Sequence, residues 1–167
     1  MPKEFEIDVS GEDIFCHNYT VVVADKNNGI IKGYKFNGDL IQILKSRRGE
    51  GKYRYPLSKE GNALFKIRLY CIIIYYLFRD IDFRDMDHEI KLEICRDFQG
   101  HEQNITSNLK SFLEENLHLK ISTKYVKLPK DSNADKYAYL MRKDTSNKIK
   151  GYVKIELEDM EKYLKRK

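Results

Sequence analysis

An acidic residue stands at the end of a strongly patterned strand. Apolar residues at every second position from Ile90 to Ile94 predict a half-buried strand that ends at Asp97, and Gly100 follows as a breaker. From Asn104 the apolar residues recur at helical spacing. Asp97 therefore belongs to a strand-to-helix loop, which is where ligands and metals collect in open α/β sheets.

A carboxylate at such an edge of the sheet can take part in chemistry when other carboxylates lie close to it. Clustered carboxylates repel one another at neutral pH, which raises their pKa values and lowers stability. Hard divalent cations with oxygen ligands relieve that repulsion. A pair of such ions about 3.5–4 Å apart can activate a water and stabilise the leaving oxygen in a displacement at phosphorus.

The composition is that of one globular domain, which we place over residues 1–167. The chain is 41% apolar and 34% charged, and its net charge of +5 is compatible with a nucleic-acid partner. Three cysteines without CxxC spacing, Cys16, Cys71 and Cys95, favour a reducing, cytoplasmic setting and give neither a disulfide framework nor a zinc knuckle.

No feature of the sequence predicts secretion or a membrane partner. The first thirteen residues are acidic and lack the apolar core of a signal peptide. The longest uninterrupted run of apolar residues, 69–78, has ten residues, whereas a membrane span needs about 20. We therefore expect the surrounding apolar segment to be a buried helix.

The remaining patterns supply the elements that position Asp97. Three antiparallel strands are predicted over residues 5–10, 19–24 and 30–36, and a core helix runs from the N-cap Ser58 to about Arg79. After the strand and helix around Asp97 come a fifth strand over 121–128 and a helix starting near Ser132 or Asn133. From about residue 145 we expect an extension with a strand over 151–156 and a helix over 157–164.

This order of elements over residues 5–142 resembles the ribonuclease H-like superfamily. The opening Asp8-Val9-Ser10-Gly11 also resembles uncharacterised members whose first strand reads D-E-S-G. The resemblance implies an α/β fold with a mixed five-stranded sheet, strands 1–3 antiparallel, flanked by helices.

The same resemblance implies carboxylates at four places, and the chain has one at each. They are Asp8 on the first strand, Glu60 in LSKEGNALF at the start of the core helix, Asp97, and Asp135 in NADKYA, which is similar to the family's N-x-x-A-D-x-L-A. All four are predicted as catalytic residues and as ligands of Mg²⁺ or Mn²⁺.

Each acid also has an ordinary structural interpretation. Asp8 can form a turn, Glu60 and Asp135 can interact with helix dipoles, and Asp97 can cap a helix. Gln99 or His101 could also cap that helix, and neighbouring acids that would substitute if the register differs are Glu12, Asp13 and Glu102. The lead to Asp135 lacks the histidine that many ribonucleases H carry there, and Lys127 or Lys130 is an alternative phosphate contact.

A basic stretch over residues 45–55 is predicted as a flexible loop that contacts nucleic acid. Its guanidinium groups suit phosphate and its tyrosines suit unpaired bases. The residues concerned are Arg47, Arg48, Lys52, Tyr53 and Arg54. The alternative is a solvated, mobile loop.

The sequence thus predicts a divalent-metal-dependent nuclease that acts on RNA, DNA or a hybrid by a two-metal mechanism. The alternative is a non-catalytic nucleic-acid-binding or scaffold module that keeps the fold. No oligomeric state is predicted.

Overall fold

A central mixed sheet organises the computed structural model, which describes residues 2–27, 29–84 and 86–165. Its strands are β1 (Lys3–Ser10), β2 (Thr20–Asp25), β3 (Ile31–Lys35), β4 (Glu89–Ile94) and β5 (Lys120–Tyr125). They lie in the order β3-β2-β1-β4-β5. The predicted α/β class with a mixed five-stranded sheet is confirmed.

The first strand occupies the middle of the sheet. β1 pairs antiparallel with β2, which pairs antiparallel with β3. On its other side β1 runs parallel to β4, with Ile7 opposite Ile94, and β4 runs parallel to β5. The carboxyl ends of β1 and β4 therefore lie side by side, which brings the chain after Asp8 close to the chain after Ile94.

Five helices accompany the sheet. They are α1 (Gly38–Gly49), α2 (Lys59–Arg79), α3 (Glu102–Lys110), α4 (Asn133–Lys143) and α5 (Leu157–Glu161), and a π-helical segment, Ser111–Glu115, continues α3. The predicted Ser58 cap forms, since its hydroxyl accepts the Gly61 N–H at 3.0 Å, and at the start of α4 the Ser132 hydroxyl accepts the Asp135 N–H at 3.2 Å. Each cap satisfies a backbone donor that a helix start leaves unpaired.

The helices cover both faces of the sheet. Residues of α2 pack in the main core with Phe5, Ile7 and Leu92, whereas α4 packs through Ala134, Ala138 and Met141 against Val22 and Ala24 on the opposite face. Alternation along β1 consequently turns Glu6 and Asp8 toward α4. Gly33 allows the close approach of α4, because a Cβ there would lie 2.3 Å from the Met141 sulfur.

Helix α2 is apolar along most of its length. By length and composition alone it is the one helix in the described part of the chain that qualifies as a possible membrane span. Of its most apolar 18-residue stretch, 72% is buried inside the structure. Cys71, Ile72 and Ile73 on it are fully buried. This burial agrees with the predicted core helix.

Three local predictions are wrong. The first half of the supposed flexible loop is helical, because α1 extends to Gly49 and carries Arg47 and Arg48. The predicted strand over 151–156 is reduced to a single parallel bridge between Gly33 and Tyr152. The helix after it ends at Glu161, three residues earlier than expected. The predicted domain range also includes Met1, Asn28, Asp85, Arg166 and Lys167, which lie outside the described residues.

Candidate functional site

Asp8 and Asp135 meet at the carboxyl end of β1. Asp8 is near the end of that strand and faces α4, and Asp135 lies in the first turn of α4. Asp8 is only 8% exposed. Burial, together with the charge of Asp135 and a hydrogen bond to it, raises the pKa of Asp8 to about 6, although the Val9 N–H and the Cys95 thiol act against the rise. The pair is thus arranged to share a proton or a cation.

A second buried acid on β1 fixes the start of α4. Glu6 is 5% exposed and lies on the same face of β1 as Asp8. Burial raises the pKa of Glu6, while hydrogen bonds from the backbone N–H groups of Ala134 and Asn133 oppose that rise. A carboxylate at a helix N-terminus is stabilised by those unpaired donors. Glu6 therefore ties the first turn of α4, and with it Asp135, to β1.

Asp97 lies just beyond β4 and is exposed. Its carboxylate accepts a hydrogen bond of 2.6 Å from the Tyr19 hydroxyl. The pKa of Tyr19 is raised by burial first and then by the charge of Asp97. Burial also raises the pKa of the Cys95 thiol to about 12, and the charges of both Asp8 and Asp97 contribute. Cys95 is therefore the group that links Asp97 to the Asp8–Asp135 pair.

Glu60 does not join these acids. It is in the first turn of α2, as predicted, but its side chain is exposed. The cavity that Asp97 lines receives Lys59, Asn62 and Lys66 from α2 and not Glu60. Among the residues that the structure describes, no three His, Cys, Asp or Glu side chains converge on one metal position. The predicted four-carboxylate cluster is therefore not formed, because the helical phase of α2 turns lysines toward Asp97 instead.

Three side chains near the acids were missed by the sequence interpretation. Tyr19 and Cys95 contact the acids, and Lys66 donates to Asp13 at 2.7 Å. Lys59 and Lys66 are seven residues apart on a helix, a spacing that places them on one face and was visible in the sequence. Tyr19 and Cys95 gave no comparable signal, because an apolar strand contains many such residues.

Most of the predicted nucleic-acid contacts are used within the protein. Arg47 forms an ion pair with Glu161, and Arg48 donates to Asn62 at 2.9 Å and to the Pro56 carbonyl at 2.7 Å. The role given to Tyr53 is wrong: this ring is fully buried and its hydroxyl donates to Glu161 at 2.9 Å, so it has no exposed face for a base.

The other two basic residues of that stretch are exposed. Lys52 pairs with Glu50 at 3.1 Å, and the Arg54 guanidinium lies 5.7 Å from the centre of the Tyr55 ring. Such exposed pairs are weak and remain available to a partner. Lys52 and Arg54 are therefore retained as predicted contacts with nucleic acid.

The donor set at Asp8 fits one divalent cation. Mg²⁺ is usually held by one or two protein carboxylates and keeps several waters, so substrate phosphate can complete its shell. Asp8 and Asp135 supply two adjacent carboxylates, and a positive charge between them would relieve their repulsion, which adds to burial in raising the pKa of Asp8. The chemistry of this pair does not by itself supply ligands for a second ion.

Comparison with models of protein families, with curated proteins and with solved structures found no match.

Proposed function

We propose that the protein is a divalent-metal-dependent hydrolase of phosphodiester bonds in nucleic acid, with a ribonuclease H-like fold. The observation that carries this proposal is the contact between Asp8 and Asp135 at the carboxyl end of the central strand. Ligand sites of open α/β sheets lie at that edge. Asp97 follows the neighbouring parallel strand and adds a third acid to the same edge.

The sheet supports the fold assignment. Its order β3-β2-β1-β4-β5 combines three antiparallel strands with two that run parallel to β1. The acids on β1, after β4 and at the start of α4 occupy three of the four positions that the resemblance implies. Glu60 is the departure, since it lies in the right turn of the chain but is exposed.

Asp8 and Asp135 would hold Mg²⁺ or Mn²⁺. When bound, the ion would polarise the phosphate and lower the pKa of a water. Glu6 would keep Asp135 in place through the start of α4. Asp97, whose orientation is set by Tyr19, would accept a hydrogen bond from the attacking water.

The test is cleavage of labelled single-stranded, duplex, hybrid and branched nucleic acids in the presence of Mn²⁺. Asp8→Asn keeps the shape of the side chain and removes its charge, so we expect at least a hundredfold loss of rate. The matched control is Asp131→Asn, because Asp131 is exposed and lies just before α4. Cleavage by Asp8→Asn at the rate of the original protein would contradict the proposal.

The arrangement of α2 favours one second candidate, a nucleic-acid-binding or scaffold module without catalysis. Lys59 and Lys66 face the position beside Asp97 that the family resemblance assigns to a glutamate. Calorimetric titration with Mn²⁺ separates the two functions. Absence of binding heat, or binding that is unaltered in Asp8→Asn and Asp97→Ala, would favour the module; one equivalent of Mn²⁺ lost in Asp8→Asn would favour the hydrolase.

A further inference from the structure

Two adjoining cavities connect the acidic edge to helix α1. The first, of about 450 Å³, is lined by Phe15, Lys45, Arg48 and Lys66. The second, of about 380 Å³, is lined by Lys59, Asp97 and Phe98. Both are also lined by Asp13, Asn62 and Lys66, so they form one continuous depression. We call it the α1–α2 groove.

The α1–α2 groove has a basic end and an acidic end. Three cations and one carboxylate, Asp13, line the cavity beside α1. The cavity at the other end contains Glu12, Asp13 and Asp97 with two lysines and His101. A polyanion that lies in the groove would therefore be bound by the cations at the α1 end, and its other end would lie near the acids.

The lysines of the groove are available to a ligand to different degrees. Among the described residues, no carboxylate lies within ion-pairing distance of the ammonium group of Lys45 or of Lys59. Lys66 is paired with Asp13 at 2.7 Å. Arg48 is held in place by Asn62 and Pro56, and its Nε is buried without a hydrogen-bond partner among the described residues. Arg48 therefore supplies a fixed positive charge, while Lys45 and Lys59 are free to donate to phosphate.

Aromatic rings border the groove next to these cations. Phe15 is half-buried and packs on Phe65 with ring centres 5.6 Å apart. The ammonium groups of Lys45 and Lys66 each lie 5.3 Å from the centre of the Phe15 ring. At the acidic end Phe98 packs on Tyr70 with ring centres 4.8 Å apart. A positively charged groove bordered by aromatic rings that pack on other rings is an arrangement that binds single-stranded nucleic acid. The cations contact its phosphate backbone and the rings stack on its bases.

We propose that the α1–α2 groove binds single-stranded nucleic acid, with Lys45, Lys59 and Lys66 on its phosphates and Phe15 and Phe98 against its bases. This inference rests on the proposed function, because the groove would deliver the strand to Asp97 and the Asp8–Asp135 pair. It replaces the predicted contacts of Arg47 and Tyr53, which are engaged with Glu161.

Fluorescence anisotropy with labelled oligodeoxythymidine and oligouridine, in EDTA and over a range of salt concentrations, tests the groove without cleavage. We expect each of Lys45→Gln and Lys66→Gln to weaken binding about fivefold at low salt. The double variant should reduce the slope of log K against log salt by about 1.4, since each phosphate contact on a single strand contributes about 0.7. Lys120→Gln is the matched control, because Lys120 is exposed at the start of β5, away from the groove.

The outcomes separate the two proposals. An unchanged salt slope in the double variant, or tighter binding of the matching duplex than of the single strand, would overturn the groove as a single-strand site. Lys45→Gln keeps the test valid if loss of the Asp13 pair unfolds Lys66→Gln, because Lys45 has no such pair. Single-strand binding that depends on both lysines, combined with cleavage that is unaffected by Asp8→Asn, would overturn the hydrolase alone.

Discussion

The surroundings of the Asp8 carboxyl disfavour its ionised form. Its pKa rises from 3.8 to about 6 because it is buried beside Asp135. The folded protein therefore binds this proton more tightly than the unfolded chain does. The carboxyl contributes stability below about pH 4, and that contribution is lost as the pH rises through 6.

Asp8→Asn should consequently make the protein more stable at pH 7. The amide oxygen can still accept the Val9 N–H, which bonds Asp8 at 2.8 Å, while the repulsion with Asp135 disappears. We expect a gain of about 1–2 kcal/mol in the free energy of unfolding at pH 7 and little difference at pH 4. Denaturant titrations at the two pH values measure it. A loss of stability at pH 7 would mean that the two carboxylates do not repel.

Tyr19 is the residue that orients Asp97. Its ring is fully buried and its hydroxyl donates to the carboxylate at 2.6 Å. Because hydrogen bonds to charged groups contribute about 1.5–3 kcal/mol, Tyr19→Phe should lower the free energy of unfolding by about 2 kcal/mol at pH 7. Tyr34→Phe is the control, since Tyr34 is also buried and no hydrogen bond of its hydroxyl is present among the described residues. Equal losses in the two variants would rule out a special contribution from the Asp97 bond.

At the scale of single residues, sequence patterns predicted which element each acid lies on better than they predicted which acids come together. Strand alternation placed Asp8 on the first strand, and the predicted helix start near Ser132 or Asn133 placed Asp135 in a first turn; in the structure these two elements meet. Glu60 was assigned to the correct turn of α2, but the rotation of a helix about its axis depends on tertiary packing. That rotation decides whether Glu60 or Lys59 faces Asp97, and an almost wholly apolar helix gives no stripe from which to predict it.

The entry into α2 is fixed by a contact between backbone atoms. A Cβ at Gly61 would lie 2.1 Å from the carbonyl oxygen of Pro56, and backbone cannot move aside as a flexible side chain can. The Gly61 N–H is also the donor to the Ser58 cap. The first turn of α2, with Lys59 and Glu60, is therefore held against the segment that precedes it.

Gly61→Ala should destabilise the protein although alanine favours helices. The intrinsic gain of up to about 1 kcal/mol is outweighed by displacement of the chain at Pro56, and we expect a net loss of about 2 kcal/mol or more. Gly49→Ala is the matched control, because no atom lies within 4 Å of the added Cβ and Gly49 also belongs to a helix. Thermal unfolding should show a lower midpoint for Gly61→Ala alone. Equal midpoints would show that α2 can shift at its start.

At the scale of elements, the sequence patterns were informative where a cap or a clear period existed. The Ser58 cap marked the start of α2, and the helical pattern from Ser132 or Asn133 marked the start of α4. Of helix α1, only a short helix or turn over Leu40–Leu44 was predicted, and its basic second half was interpreted as a loop. The reason is that α1 buries few residues, chiefly Leu40, Ile41 and Leu44, and therefore has little apolar periodicity.

Over the whole molecule, the order of strands and helices implied a mixed sheet through the family resemblance, and the parallel neighbours of such a sheet need helical crossovers. The extension after residue 145 was harder, because its stability depends on partners far away in the chain. Tyr152 reaches β3 through one bridge to Gly33, and Glu161 on α5 binds Arg47 and Tyr53. Such contacts have no local sequence signal.

Glu161 connects helix α5, on which it lies, to Arg47 on helix α1 and to Tyr53. It is 4% exposed and accepts from the Arg47 guanidinium and the Tyr53 hydroxyl. Burial alone would raise the pKa of Glu161, but these two bonds outweigh it, so the pKa lies below the ordinary value of 4.5. Stability from a depressed carboxyl pKa is present above the unfolded pKa and is lost as the pH falls through the folded one. Glu161 and Asp8 therefore act in opposite directions on acidification.

Glu161→Gln should lower the free energy of unfolding by about 2 kcal/mol at pH 7, because Arg47 loses its counter-charge and the amide has one acceptor oxygen where the carboxylate uses two, one for Arg47 and one for Tyr53. The difference from the original protein should shrink as the pH falls below the ordinary pKa of 4.5 and through the lower pKa of the folded protein, where the glutamate itself becomes protonated. Glu158→Gln is the control, since Glu158 is exposed on the same helix. Denaturant titrations at pH 7 and pH 3 distinguish the cases. If the variant is as much less stable than the original protein at pH 3 as at pH 7, the loss comes from altered packing. The charge of Glu161 would then not be what holds α5 to α1.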